Sequence, residues 1–271
     1  MKVIKKIILA VSMIAPLFAL AQQDTTPPRD GFYDKTSVTE RQALPYPYVS
    51  QENVFWERRV WRVIDTREKI NLPFKYEVHP LVTIFLDLVK NNEITVYKNE
   101  DFTGPMTPQD VSAIGGGVDS QKVFITQDSF IWKKVEHTLD PEKITKYRIK
   151  EDWFFDKESS TMQVRIIGIA PVLDKYDDQG TFIATIPMFW VYYPTARNYL
   201  VHYEAFNQQN DAHRLTWSDM FDKRLFDGYI TKVSNVFDRR IQDYSTGVEA
   251  LRQSQKADND IADFEQGLWS Y

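Results

Sequence analysis

The chain has 271 residues, 33 basic and 38 acidic side chains, a net charge of −5 and no cysteine. Hydrophobic residues make up 43% and aromatics 14%, enough to build a full core and to exclude disorder through the bulk of the chain. The acidic balance argues against a nucleic-acid partner, which selects a basic stripe, and the lack of cysteine excludes disulfides, a thiol nucleophile and a lipid attached at cysteine.

Lys2, Lys5 and Lys6 precede an apolar run at 7–20 broken only by Ser12 and Pro16, and Ala19-Leu20-Ala21 closes it. A charged start, an apolar middle and a small-x-small site predict a secretory signal peptide over residues 1–21. The run is shorter than the roughly 20 residues of a membrane-spanning helix. Cleavage before Gln22 removes three lysines, moves the net charge from −5 to −8 and leaves an exported chain. Residues 22–48 lack periodicity and hold Pro27, Pro28, Pro45 and Pro47, which predicts an extended flexible arm. It is either a linker or a strap that orders on a partner through Phe32, Tyr33, Tyr46 and Tyr48.

Residues 49–271 are expected to form a single α+β domain, a small, mainly antiparallel sheet with N-terminal helices and a long C-terminal helical segment over about 216–268. Ser50 caps a predicted helix over 50–69, with Val54, Glu57, Trp61 and Ile64 on one face and Arg58, Arg59, Arg62 and Arg67 over much of the rest. Pro80 suits the first turn of a second helix through Leu81, Ile84, Phe85, Leu88 and Val89, ended by Asn91-Asn92. Residues 93–97 read as a short strand, and Thr107-Pro108 opens a short helix that stops at Gly115-Gly116-Gly117.

Residues 147–155 and 162–169 are expected to pair as a hairpin. A third apolar strand spans 182–193, and Pro187 marks an edge or a bulge in it. Pro194-Thr195 launches a helix through Tyr199, His202, Tyr203 and Phe206, and Thr216 with Asp219 makes a capping box. Beyond the box, Phe221, Leu225, Tyr229, Val233, Phe237, Ile241, Tyr244, Val248 and Leu251 recur every three or four residues. That spacing predicts one helical face over about 30 residues. Gly228 and Gly247 mark where it breaks or kinks, and a short helix at 261–268 ends the chain.

Catalytic patterns are sparse. His79, His137, His202 and His213 have no metal-binding spacing, and Gly115-Gly116-Gly117 lacks the lysine and the helix start of a phosphate cradle. Asp174, Asp177, Asp178 and Gly180 form an acidic turn without the alternating ligands and later glutamate of a calcium loop. No nucleophile elbow occurs, and dispersed carboxylates leave a hydrolase open because their spacing is spatial. The reading is a chain that binds or builds, with no catalytic residue, cofactor or metal. Trp56, Arg58, Arg59, Trp61 and Arg62 are candidate interface residues, being of the types that dominate interface energetics.

The run Asn53-Val54-Phe55-Trp56-Glu57-Arg58-Arg59-Val60-Trp61-Arg62-Val63-Ile64-Asp65-Thr66-Arg67-Glu68-Lys69 resembles the N-terminal signature of the gliding-motility N protein family, GldN/PorN. Further resemblance lies in Ile149-Lys150-Glu151-Asp152-Trp153-Phe154-Phe155-Asp156-Lys157 with Gly168-Ile169-Ala170-Pro171, and in Met188-Phe189-Trp190-Val191-Tyr192-Tyr193-Pro194. It continues in residues 206–214, Tyr229-Ile230 and Asp238-Arg239, so it covers most of the chain after the arm. The resemblance implies a structural, non-enzymatic subunit of the type IX secretion and gliding-motility machinery. It further implies a periplasmic ring built with an outer-membrane lipoprotein, the K protein, which holds the subunit at the membrane. It implies self-association within that ring and contact with a shaft protein anchored in the inner membrane. The alternative is a soluble periplasmic glycan- or peptidoglycan-binding module.

Overall fold

A computed structural model describes residues 40–115, 117–126, 129–137, 139–176, 179, 181–208, 210 and 212–268. The expected signal peptide, most of the arm, and Asp177, Asp178 and Gly180 of the acidic turn lie outside the described residues.

Residues 50–69 are not a helix. After a single 3-10 turn at Gln51–Asn53 the chain runs as strand β1, Val54–Asp65. Its sequence, VFWERRVWRVID, is dominated by β-branched and aromatic side chains, which fit a pleated surface better than a helix. The alternation is hidden over Val60–Ile64 because both faces are covered there, so apolar residues occur at even and odd positions alike. Arginine reinforces the disguise, since its aliphatic stem packs like an apolar residue while its head finds a carboxylate.

The order then continues through α1 (Leu81–Lys90), β2 (Val96–Tyr97), β3 (Pro105–Met106), α2 (Pro108–Gly115), β4 (Gly117–Thr126), β5 (Ser129–His137), β6 (Ile144–Asp156) and β7 (Thr161–Tyr176). It ends with β8 (Phe182–Pro187), β9 (Trp190–Tyr192), α3 (Tyr193–Leu200), β10 (Glu204–Ala205), β11 (Leu215–Thr216), α4 (Trp217–Asp222), β12 (Tyr229–Val233) and α5 (Gly247–Leu268). The fold is α+β. Eight strands form one sheet in the order β12-β1-β6-β7-β9-β2-β3, with β8 also paired to β7, so the sheet is larger than expected. Strands β4 and β5 form a separate two-stranded sheet, as do β10 and β11. Every pairing among the described strands is antiparallel.

The hairpin β6–β7 forms at the expected turn, and both strands run beyond it. The strand expected at 182–193 is split at Pro187-Met188 into β8 and β9, which both pair with β7. Helices α1 and α2 form where expected, and Asn92 ends α1 with a left-handed φ of 58°. The helix from Pro194 is shorter than expected, because Glu204 and Ala205 leave it to pair with β11.

Helices pack on one face of the large sheet. Ile64, Tyr147, Ile149, Ile166 and Ile169 meet α1, α3 and α4 in the main core, centred on Phe74, Phe85, Tyr193, Trp217 and Phe221. Val60 and Ile230 on the same face meet Ala257 and Ile261 of α5. The opposite face carries a smaller cluster of Trp61, Ala170 and Trp190, with Tyr97 and Phe102 against it.

The long C-terminal helix does not form as one piece. The capping box is present, but α4 stops at Asp222, β12 follows, and α5 begins only at Gly247 and runs through the expected short helix at 261–268. Left-handed residues Arg224 (φ 51°) and Asp238 (φ 52°) break the helical path. A spacing of four satisfies both the two-residue period of a strand and the near-four period of a helix, so Phe221 to Ile241 carried no discriminating signal. At Gly228, which leads into β12, an added Cβ would sit 2.5 Å from the Val63 carbonyl oxygen on β1, a backbone atom with no room to move. Gly228→Ala is therefore expected to cost about 1–3 kcal/mol, read as a lower urea midpoint; an unchanged midpoint would show that β12 does not lie this close to β1.

Candidate functional site

The five candidate residues Trp56, Arg58, Arg59, Trp61 and Arg62 all lie on β1, where alternation divides them between the two faces of the sheet. Trp56, Arg58 and Arg62 point to α5. Trp56 stacks on Phe264 with ring centroids 4.5 Å apart and an interplanar angle of 16°. Arg58 lies 5.7 Å over the Trp56 ring and 3.9 Å from Asp260. Arg62 Nη2 donates to Asp258 at 2.6 Å and Nη1 to the Gly228 carbonyl at 2.5 Å. On the other face Arg59 makes a two-pronged pair with Asp152 at 2.6 and 2.7 Å. Trp61 is buried there under Lys232, whose Nζ is 4.1 Å from its ring.

Behind this strand sits an arrangement that local sequence patterns do not reveal. Glu151 on β6 is 0% exposed. Arg224 Nη1 donates to its Oε1 at 2.9 Å, Trp153 Nε1 donates to its Oε2 at 3.0 Å, and Arg62 Nε lies 3.6 Å from Oε2. Arg224 also stacks over Trp153 and Phe226. The hydrogen bonds and two cations together hold a charge that would otherwise be very costly to bury.

The opposite face has its own network. Lys150 Nζ donates to the Glu100 carbonyl at 2.7 Å, and Lys232, 4% exposed, pairs with Glu100 at 3.0 Å and Asp238 at 2.6 Å. Burial lowers the Lys150 pKa below the ordinary lysine value. Residues 98–104 turn over this face, and Phe102 (φ 59°) lies so close to Gly168 that an added Cβ would stand 2.8 Å from its ring. A desolvated cation over tryptophan contributes up to about 2 kcal/mol.

Residues 40–48 form no helix or strand and are tied to the body. The Tyr46 ring lies between Arg197, at 4.3 Å, and Arg165, at 5.2 Å, and its hydroxyl donates to Asp222 at 3.5 Å. Burial, then the Asp222 charge, push its pKa up to about 12. Arg41 pairs with Asp219, and the Leu44 and Pro47 carbonyls accept from Arg197 and Arg165.

Among the described residues, no three histidine, aspartate or glutamate side chains are disposed to hold a metal ion, and no helix is long and apolar enough to cross a membrane. Fold and charge frame define an α+β protein whose sheet arginines and lysines mostly join one element to another. The chain belongs to the GldN family: the family model described as gliding motility associated protein GldN matches residues 49–270. Membership makes it a component of the gliding-motility and type IX secretion machinery. No curated protein sequence matches the chain.

Two expectations follow from the ion pairs. Glu151→Gln strands Arg62 and Arg224 beside a neutral group and should cost about 3–5 kcal/mol, measured by urea unfolding; a loss below about 1 kcal/mol would mean the pairs contribute no more than surface ones. Burial pushes Asp219 up, but the Thr216 backbone N–H and the Lys223 ammonium outweigh it and hold its carboxyl below the usual range. A depressed native pKa adds stability above the unfolded value of about 4, and that stability is lost as pH falls through the native value. Asp219→Asn should therefore flatten the fall of stability below pH of about 4; an unaltered acid profile would contradict the assignment.

Proposed function

We propose that this chain is a structural, non-enzymatic subunit of the periplasm. In this reading it is exported by residues 1–21 and built into a ring with the outer-membrane lipoprotein K protein of the same system. The lipoprotein holds it at the outer membrane, copies associate with one another around the ring, and the ring meets the periplasmic part of the inner-membrane-anchored shaft protein. The observation that carries this reading is the family match across residues 49–270.

Surface chemistry supports assembly. Val236 (96% exposed), Phe237 (73% exposed), Tyr244, Val248 and Leu251 present large apolar side chains to solvent between β12 and the first turns of α5. Apolar groups clustered along one stretch mark a contact surface more often than a free one. On β1, Arg58 and Arg59 keep the most accessible heads of the five candidates and are proposed to reach a partner from there. Trp56, Trp61, Trp153, Trp190 and Trp217 are not exposed, whereas Tyr48, Tyr192 and Tyr244 are, so the stacking rings of the alternative glycan-binding reading would have to be tyrosines.

Native pull-down of the tagged chain from its source envelope, with mass spectrometry and sizing, tests the proposal. The expected result is a large assembly containing a lipoprotein in fixed ratio; a lone monomer after complete solubilisation of the outer membrane overturns it. Phe237→Glu with Leu251→Glu should shrink the assembly while leaving the melting temperature within about 2 °C. Retention of full size by this variant would remove the 236–251 surface from the interface.

A further inference from the structure

On the sheet face away from the helices lies a cleft of about 490 Å³. Four cations line it, Lys146, Arg148, Lys232 and Arg240, against one carboxylate, Glu100. Glu100 is already engaged with Lys232. Lys146, Arg148 and Arg240 have no ion-pair partner among the described residues, although Arg59, Arg62, Arg67, Arg197, Arg214 and Arg224 all have one. Arg148 Nη2 reaches only the Thr185 carbonyl, at 3.5 Å, the limit of a hydrogen bond. Burial, and then the neighbouring Arg240 charge, lower the Arg148 pKa. In a chain of net charge −5, three unpaired cations in one cleft are a local inversion that an arriving anion would relieve.

The form of the cleft specifies the anion further. Strand β8 supplies one wall through residues 182–185 and pairs with β7 alone among the described strands, so no described strand lies along its second edge from Ile183 to Pro187. A free strand edge offers backbone donors and acceptors to an added strand. Ile183 and Ile186 on β8 are exposed and apolar. Lys146 and Arg148 stand two residues apart on β6, so they share a face about 7 Å from one another, the repeat of same-side residues on an extended chain. The one helical start in the lining, Arg240 ahead of the three-residue 3-10 turn Ile241–Asp243, is too short to supply the backbone cradle that favours a compact phosphate.

We infer that this cleft takes an acidic, extended peptide segment of a protein partner. The segment adds along the second edge of β8 between Ile183 and Pro187 and sets alternate carboxylates against Lys146, Arg148 and Arg240. The inference rests on the assembly reading and names a surface and a partner chemistry within it.

Fluorescence anisotropy on the full chain tests it, with a labelled peptide of about ten alternating glutamate and threonine residues as the probe. The glutamine counterpart should bind about tenfold more weakly, as should the glutamate peptide to the Arg148→Gln, Arg240→Gln double variant. Arg252→Gln on α5, outside the cleft, should leave binding unchanged. Should the double variant fail to fold, Lys146→Gln and the two-peptide comparison carry the test. Equal binding of both peptides overturns the inference. So does binding of phosphatidylglycerol vesicles or inorganic phosphate at this cleft in place of the peptide. A wild-type chain that pulls down its assembly but binds no acidic peptide overturns this inference alone. A chain that binds the peptide yet isolates as a monomer overturns the assembly reading alone.

Discussion

Glu151 is a charge with no exposed surface, and the elements around it are arranged to make that tolerable. It needs cations from two directions. Arg62 comes from the neighbouring strand, and Arg224 from the turn after α4, where a left-handed φ of 51° is accepted by a residue with a Cβ. Arg62 then extends to Asp258, so α5 is tied to the same carboxylate through one intermediate side chain. A single buried acid thereby sets how β1, β6, the approach to β12 and α5 meet. A buried pair that loses one partner costs more than the intact pair contributes, so this arrangement is sensitive to the loss of any one member.

This explains why the arginines of β1 misled a reading by periodicity. Spacing alone placed Arg58, Arg59 and Arg62 on a solvated or interfacial helix face, whereas the sheet places each beside a carboxylate that is distant in sequence. Arg59 meets Asp152 and Arg62 meets Asp258, 93 and 196 residues away. Elements governed by local chemistry were legible: the Asn92 stop, the Thr216 capping box and the β6–β7 turn. Those decided by distant partners were not. Residues 229–233 became a strand because β1 had an open edge there, and no nearby residue announced that. The cleft on the other face was equally hidden, since Arg240 and Lys232 come from a part of the chain distant from Lys146 and Arg148.

The two faces of the sheet differ in how complete they are. The helical face is closed by aromatic packing around Phe74, Trp217 and Phe221, at centroid distances of 5.2 to 6.2 Å. Among the described residues, the other face has only the 98–104 turn over its centre, with lysines held above Trp61 and Phe102. An α+β domain with its helices on one side leaves the second side for other uses. Here the cleft on that side is lined by four cations and one carboxylate in a protein that is acidic as a whole.

Strand β1 also has a history during synthesis. Both of its neighbours follow it in the chain: Thr66 bonds Thr145, 79 residues later, and Trp61 accepts from Thr231, 170 residues later. At ribosomal speeds of about 5–20 residues per second, the second of these partners emerges roughly 9–34 s after β1. Until the first of them emerges, roughly 4–16 s after β1 at that speed, a segment rich in tryptophan, valine and isoleucine has no strand to pair with. Its interspersed arginines then act as gatekeepers against self-association of nascent chains, before any of them has met its carboxylate.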